Sequence, residues 1–100
     1  MAVGRAERMS ERRPRVIAIF GEAFADPVLQ LLELTELAWH DCYGEITPPE
    51  HIIDDILLCS HGDIVKLIGV ARLAVSDWRD LKLLAEEVRT STSSAPGNPS

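Results

Sequence analysis

The residues that most readily bind soft metal ions are concentrated in one short stretch of this chain. His40, Cys42, His51, Cys59 and His61 all fall within 22 residues. Zinc binds cysteine and histidine in a tetrahedron, so the residue types are suitable. The spacing is not, because side chains two residues apart on a helix point about 200° apart and cannot chelate one ion. We therefore predict no cofactor, with zinc binding as an alternative hypothesis.

A second metal arrangement would use carboxylates and histidines. Glu36 and His40 are four residues apart, and could face His51, Asp54 and Asp55 on the following helix. Helical bundles hold metal pairs on inward-pointing glutamates and histidines, usually with a Glu-x-x-His spacing. That spacing is absent here, and these residues belong to polar faces that should point outward. The pattern favours a solvated face over a metal site.

No catalytic residue is predicted, and we expect a protein that is not an enzyme. Cys42 and Cys59 each lie near a histidine, which could activate a thiolate, but the spacing supplies no third group to orient such a pair. Gly62 and Gly69 are isolated and form no phosphate-binding loop. We expect both cysteines to be buried free thiols. Three aromatic residues at core-like helical positions are expected to pack rather than to stack on a ligand: Trp39, Tyr43 and Trp78.

Composition predicts an all-α fold, a small helical bundle of four to five helices with a long C-terminal helix. Apolar residues make up 46% of the chain, and no segment reads convincingly as a strand. Residues 1–13 contain four arginines and no apolar run, so we predict a basic disordered arm there. Residues 14–89 form the predicted helical domain. Residues 90–100 are almost entirely Ser, Thr, Pro, Gly and Asn, which predicts a disordered tail.

Charge is distributed unevenly along the chain. Five arginines against three glutamates precede Asp26, whereas the remainder is acidic enough to bring the whole chain to −6. An acidic body repels phosphate backbones, which argues against nucleic-acid binding by the folded part. The arm could still contact RNA, an acidic partner or the body of its own chain.

The sequence shows neither a secretory signal nor an apolar run long enough for a membrane span, and we expect a cytoplasmic protein.

Helix signals divide the first two thirds of the chain. Residues 14–25 show apolar residues at helical spacing, although Val16–Phe20 could also be a strand. Asp26 and Pro27 should open a second helix that ends before Gly44. Thr47 to Glu50 reads as a capping box with proline at the first helical position. The third helix should end near Cys59, followed by a turn at His61 and Gly62.

The region after Gly62 carries an apolar repeat of seven residues. The eight a and d positions between Ile64 and Val88 are all apolar, which predicts one continuous helix over residues 63–89. The alternative is a break at Ser76–Asp77, where either residue could cap a new helix. The outline of residues 48–75 also fits a helix-turn-helix, but its second helix offers only Lys66 and Arg72 as positive contacts.

More large apolar side chains are present than a domain of this size should bury. Several of them lie among charged residues on the predicted helices. An exposed apolar surface of this kind usually marks an interaction site, and symmetric self-association is the commonest way to cover it. We therefore expect a homodimer or a protein partner, through an interface containing Leu29, Leu37, Leu58, Val70, Leu73 and Leu84.

Overall fold

Five α-helices make up most of residues 4–94, the part of the chain that the computed structural model describes. A short 3-10 turn at Glu22–Phe24 joins the first two helices, and no strand occurs within the described part. The predicted all-α bundle is therefore confirmed. The helices are α1 (Arg5–Phe20), α2 (Ala25–Tyr43), α3 (Glu50–Ser60), α4 (Ile64–Ser76) and α5 (Trp78–Ser94).

The first helix begins well inside the segment that was predicted to be a disordered arm. α1 starts at Arg5, so that prediction is wrong for residues 5–13, while residues 1–3 lie outside the described part. Helix α1 packs against α2 and buries Val16, Phe20 and the side chain of Arg12. Arginine is a good helix former, and carboxylates on the body of the chain neutralise the charge of this segment. The helix predicted over residues 14–25 is confirmed for residues 14–20, and the strand alternative is wrong. The helix does not continue to Ala25, because Gly21 has a φ of 90° and Glu22–Phe24 form the 3-10 turn.

Helix α2 ends as predicted but begins differently. Gly44 adopts the left-handed conformation, with φ of 75°, and its N–H donates to the carbonyl of His40, which closes the helix. At the other end, α2 begins at Ala25 and Asp26 makes no capping hydrogen bond. Asp26 pairs instead with Arg13 at 2.7 Å. The predicted cap is therefore wrong, because an arginine of α1 engages the carboxylate.

The predicted capping box at the start of α3 is also wrong. No side chain caps the helix, which begins at Glu50 after Pro49. The Thr47 hydroxyl donates to Glu36 at 2.8 Å, and Glu50 accepts a hydrogen bond from Arg12 at 3.1 Å. Both side chains are therefore engaged by neighbouring helices instead of by the backbone of α3.

The predicted long C-terminal helix is interrupted at Asp77. Asp77 has extended backbone angles (φ −158°, ψ 81°), and its side chain accepts from the N–H of Asp80 at 3.3 Å, so it caps α5. The continuous helix over residues 63–89 is therefore wrong, and the break alternative is confirmed. The apolar repeat nevertheless identifies the inner face, because all eight of its positions are buried or half-buried. The break allows α5 to pack against both α3 and α4.

The turn between α3 and α4 lies against the end of α1. His61 and Gly62 both have positive φ, as the sequence predicted for a turn at this point. A Cβ atom on Gly62 would lie 3.0 Å from the carbonyl oxygen of Ile19. Glycine is therefore required there for both conformation and space. The side chain of Asp63 then caps α4 by accepting from the N–H groups of Val65 and Lys66.

Candidate functional site

The structure separates the six residues predicted for an interface. Leu29 and Val70 are buried in the core, and Leu58 and Leu73 are half-buried against it. These four residues are largely or wholly used in folding one copy of the chain. Only Leu37 and Leu84 remain exposed, at 42% and 37% of their side-chain surface. The prediction of surplus apolar surface has a counterpart in the structure, but mostly at other residues.

An open apolar groove lies between α2 and α4. It comprises two adjoining cavities of about 440 and 300 Å³, which share Leu31, Leu34 and Ile68 as lining residues. Pro27 and Ile64 line one end of the groove, and Cys42 and Ser76 line the other. The two helices therefore run parallel, with their amino-terminal ends together. The Tyr43 hydroxyl donates to the carbonyl of Val75 at 2.7 Å and fixes their carboxyl-terminal ends.

The most exposed apolar side chains of the two helices either line this groove, as Leu34 and Ile68 do, or lie one helical turn from a lining residue, as Leu37 and Val65 do. Leu34 and Leu37 on α2 are 60% and 42% exposed, and Val65 and Ile68 on α4 are 79% and 46% exposed. We call the surface formed by these four residues and the groove between them the α2–α4 face. Exposed apolar side chains on two neighbouring helices, around an open groove, often mark an interaction site.

The α2–α4 face carries opposite charges on its two helices near the same end. Asp41 is exposed on α2, seven residues after Leu34, and therefore lies within about 20° of Leu34 around the helix. Arg72 is exposed on α4 and lines the groove itself. Within residues 4–94 the Arg72 guanidinium forms no ion pair, and Asp41 lies near only His40, at 3.8 Å. Each of these two charges is therefore free to meet an opposite charge on another molecule.

Leu34, Val65 and Ile68 were missed as interface candidates. None of the three is at a predicted a or d position or in the predicted interface, because hydrophobic periodicity does not show which side of a helix a neighbour covers. The available signal was the spacing of the arginines at positions 5, 8, 12 and 15, which recur at three and four residues and so share one helical face. An amphipathic α1 covers the opposite side of α2, which leaves Leu34 outside.

A buried carboxylate fastens α1 to the body of the protein. Glu36, with 1% of its side chain exposed, accepts from Arg8 through both carboxylate oxygens at 2.7 and 2.9 Å. Arg12 and Thr47 donate to one of these oxygens at 2.9 and 2.8 Å. Arg12 is itself 97% buried, since its side-chain exposure is 3%. We call Glu36 and its three donors the Glu36 cluster.

The Glu36 cluster determines the protonation state of its carboxylate. Burial by itself raises the pKa of Glu36, but the hydrogen bonds from Arg8, Thr47 and Arg12 outweigh it, so the pKa lies below its ordinary value. The hydrogen bond to Glu36 in turn raises the pKa of Arg8. The cluster is thus an ionised pair network that is fully hydrogen-bonded, and its geometry serves to dock α1.

Further ion pairs extend this docking along α1. Arg15 contacts Asp54 and lies 3.5 Å from Glu50, both on α3. Arg13 pairs with Asp26 at the start of α2. The basic segment therefore contacts the body of its own chain, one of the three outcomes open from the sequence.

The two metal arrangements considered from the sequence do not assemble. Among the described residues, no group of three or more histidine, cysteine or acidic side chains is placed to hold a metal ion. Glu36 points inward, contrary to expectation, but onto arginines. Cys59 is a buried free thiol, as predicted, but Cys42 is exposed, so that prediction is wrong for Cys42. Burial and the nearby Asp55 raise the pKa of Cys59, which makes it a poor nucleophile.

Two further findings bear on the function. No helix within residues 4–94 combines the length and the apolar character that crossing a bilayer requires. Comparison of the chain with protein-family models, curated proteins and solved structures gives no match.

Proposed function

We propose that this protein is a helical interaction module that self-associates through the α2–α4 face as a symmetric dimer. The observation that carries the proposal is the open groove lined by Leu34 and Ile68, together with the exposed Leu37 and Val65 on the same two helices; these four residues are 42–79% exposed. Burying apolar surface contributes about 25 cal/mol for each Å². A second copy brings an identical apolar face, so each copy covers the other.

The size of the face fits a small dimer. Helix α4 has 13 residues, which corresponds to a length of about 20 Å. A standard interface buries about 800 Å² on each partner. That area is about an eighth of the 6304 Å² that the chain exposes, and the two parallel helices can supply most of it. The dimer would therefore be at the smaller end of stable interfaces.

The charges at the end of the face favour one of two symmetric arrangements. If the two-fold axis runs along the helices, α2 of each copy faces α4 of the other, and Asp41 meets Arg72 of the second copy twice. If the axis runs across the helices, α2 faces α2 and α4 faces α4, so these charges do not meet. Complementary charges fix the register of an interface. We therefore propose the first arrangement, in which all four helices run parallel.

The alternatives from the sequence have less support. Nucleic-acid contact through the basic segment would require free arginines, whereas Arg8, Arg12, Arg13 and Arg15 each pair with a carboxylate. Metal binding lacks a ligand group among the described residues. Both cysteines are free thiols, which accords with a reducing compartment and with the cytoplasmic location expected from the sequence.

Replacing Leu34 by glutamate tests the proposal. A symmetric interface would bury the new carboxylate twice without a partner, so we expect dimerisation to weaken at least ~100-fold. Light scattering after size-exclusion chromatography should give about twice the 11.1 kDa of one chain for the unmodified protein, and a single chain for Leu34→Glu.

The matched control is Leu83→Glu on α5. Leu83 has the same 60% exposure as Leu34 but lies outside the groove. This variant should remain dimeric. A wild-type protein that stays monomeric at high concentration, or a Leu34→Glu variant that dimerises as well as Leu83→Glu, would refute the proposal.

A further inference from the structure

A second, smaller cavity lies where the end of α2 meets the starts of α3 and α5. Its volume is about 200 Å³, and it shares no lining residue with the α2–α4 groove. Three of the chain's five aromatic residues line it: Trp39, Tyr43 and Trp78. Glu45 and His51 also line the cavity, and Pro49 and Ile52 complete it.

The aromatic rings are held in place by packing and by one hydrogen bond. Trp39 is 4% exposed, and its ring centroid lies 4.3 Å from that of Tyr43 with 45° between the planes. The indole N–H of Trp39 donates to Oε1 of Glu45 at 2.9 Å. This bond holds a carboxylate at the edge of the aromatic cavity. Tyr43 is itself fixed by its hydroxyl bond to Val75.

The chemistry of this lining suits a cation with an apolar surface. Aromatic faces carry negative partial charge and attract ammonium groups, most strongly when the groups are desolvated and most strongly on tryptophan. The carboxylate of Glu45 adds a full negative charge. The lining contains no lysine or arginine that could supply the cation from within the chain. Arg79, which lies 5.4 Å from the centroid of the Trp78 ring, is not among the lining residues.

We propose that this cavity binds the quaternary ammonium group of a small molecule. Such a group presents only methyl surface and offers no hydrogen-bond donor, which matches a lining that is mostly rings and aliphatic carbon, with a carboxylate at one side. Its charge is spread over the methyl groups, so it loses less hydration on entering the cavity than a primary ammonium does. A cavity of about 200 Å³ has room for the head group but not for a large ligand.

Titration of the full chain with choline tests the proposal. The two tryptophans give two indole N–H signals in a nitrogen–proton correlation spectrum, and we expect the Trp39 signal to shift saturably. The control ligand is 3,3-dimethylbutan-1-ol, the uncharged carbon analogue of choline. Because the cation–π attraction requires charge, we expect the alcohol to bind at least ~10-fold more weakly. Equal binding of the two, or no saturable shift with choline, would overturn the proposal.

Glu45→Gln separates the charge of this side chain from its structural role. The glutamine amide oxygen can still accept from the indole of Trp39, so a purely structural role predicts unchanged choline binding. We expect choline affinity to fall by about 5-fold, as a nearby charge in a partly exposed site would give, with little change for the alcohol. Glu86→Gln, at an exposed acid on α5 outside the cavity, should leave the affinity unchanged. Unchanged choline affinity in Glu45→Gln would refute the assigned role of the carboxylate.

Discussion

Glu36→Ala is expected to destabilise the protein by about 3–5 kcal/mol, because it leaves the buried guanidinium of Arg12 without its main partner. Arg12 is 3% exposed and donates to Glu36 at 2.9 Å. The bidentate contact with Arg8 and the hydroxyl bond of Thr47 are lost in the same change. Urea unfolding followed by circular dichroism gives the free energy. We expect the loss to be accompanied by release of α1 from α2.

The control is Glu33→Ala, three residues earlier on the same helix. Glu33 is half-buried and forms no ion pair within residues 4–94, so its removal should change the free energy by less than about 0.5 kcal/mol. A similar small change for Glu36→Ala would show that the Glu36 cluster does not fasten α1.

The stabilisation that the ionised Glu36 carboxylate gives the folded protein should also depend on pH. A carboxylate whose pKa is lowered by folding stabilises the folded state above its unfolded pKa, and that contribution is lost as the pH falls through the folded pKa. For Glu36 the pKa is lowered from an ordinary value of 4.5. The difference between wild type and Glu36→Gln should therefore be full at neutral pH and shrink as the solution becomes more acidic than this value. A difference that grows on acidification would contradict the assigned ionisation state.

Exchanging charges at the end of the α2–α4 face should switch dimerisation on and off. In the parallel arrangement, Asp41→Arg places the new arginine of each copy opposite Arg72 of the other copy, so two arginine–arginine contacts form. Arg72→Asp likewise places the new aspartate of each copy opposite Asp41 of the other copy. Like charges brought together at an interface cost several kcal/mol. Each variant alone is therefore expected to dimerise at least ~100-fold more weakly than wild type.

Mixing the two variants should restore the dimer. One chain then has arginine at both positions and the other has aspartate at both, so each contact between the copies joins opposite charges. Native mass spectrometry can count the mixed species, because the two chains differ in mass. If Asp41 and Arg72 instead interacted within one chain, mixing would restore nothing. A mixture that stays monomeric while the wild type dimerises would therefore refute the arrangement but not the self-association.

Much of the helical framework follows from local sequence, because caps and turns depend on neighbouring residues. Gly44 and Gly62 both have positive φ, which glycine adopts readily. Gly44 ends α2, and Gly62 lies in the short turn between α3 and α4. The break at Asp77 was one of two open alternatives, since a heptad repeat remains in phase across a single capping residue. What decides between them is the packing of α5 on α3 and α4, which periodicity cannot show.

The wrong predictions about the site have one physical cause: residues 5–13 form part of α1 and pack on α2 instead of being disordered. A segment rich in arginine reads as disordered only if its charges stay in water. Here Glu36 and Glu50 neutralise them across more than 20 residues of sequence. Because α1 covers one side of α2, Leu29 and Glu36 are buried there and Leu34 is left outside. A surplus of apolar surface could be predicted from composition, but its location depends on these long-range ion pairs.

The most direct test of self-association through the α2–α4 face uses the protein's own cysteines. Cys42 is exposed and lines the groove, whereas Cys59 is buried with a raised pKa and should not react in the folded protein. A two-fold axis along the helices brings Cys42 close to Cys42 of the second copy, so a short bismaleimide should produce covalent dimers from the wild type and none from Cys42→Ser. Absence of covalent dimers from wild-type protein at concentrations well above the dissociation constant would contradict the parallel dimer.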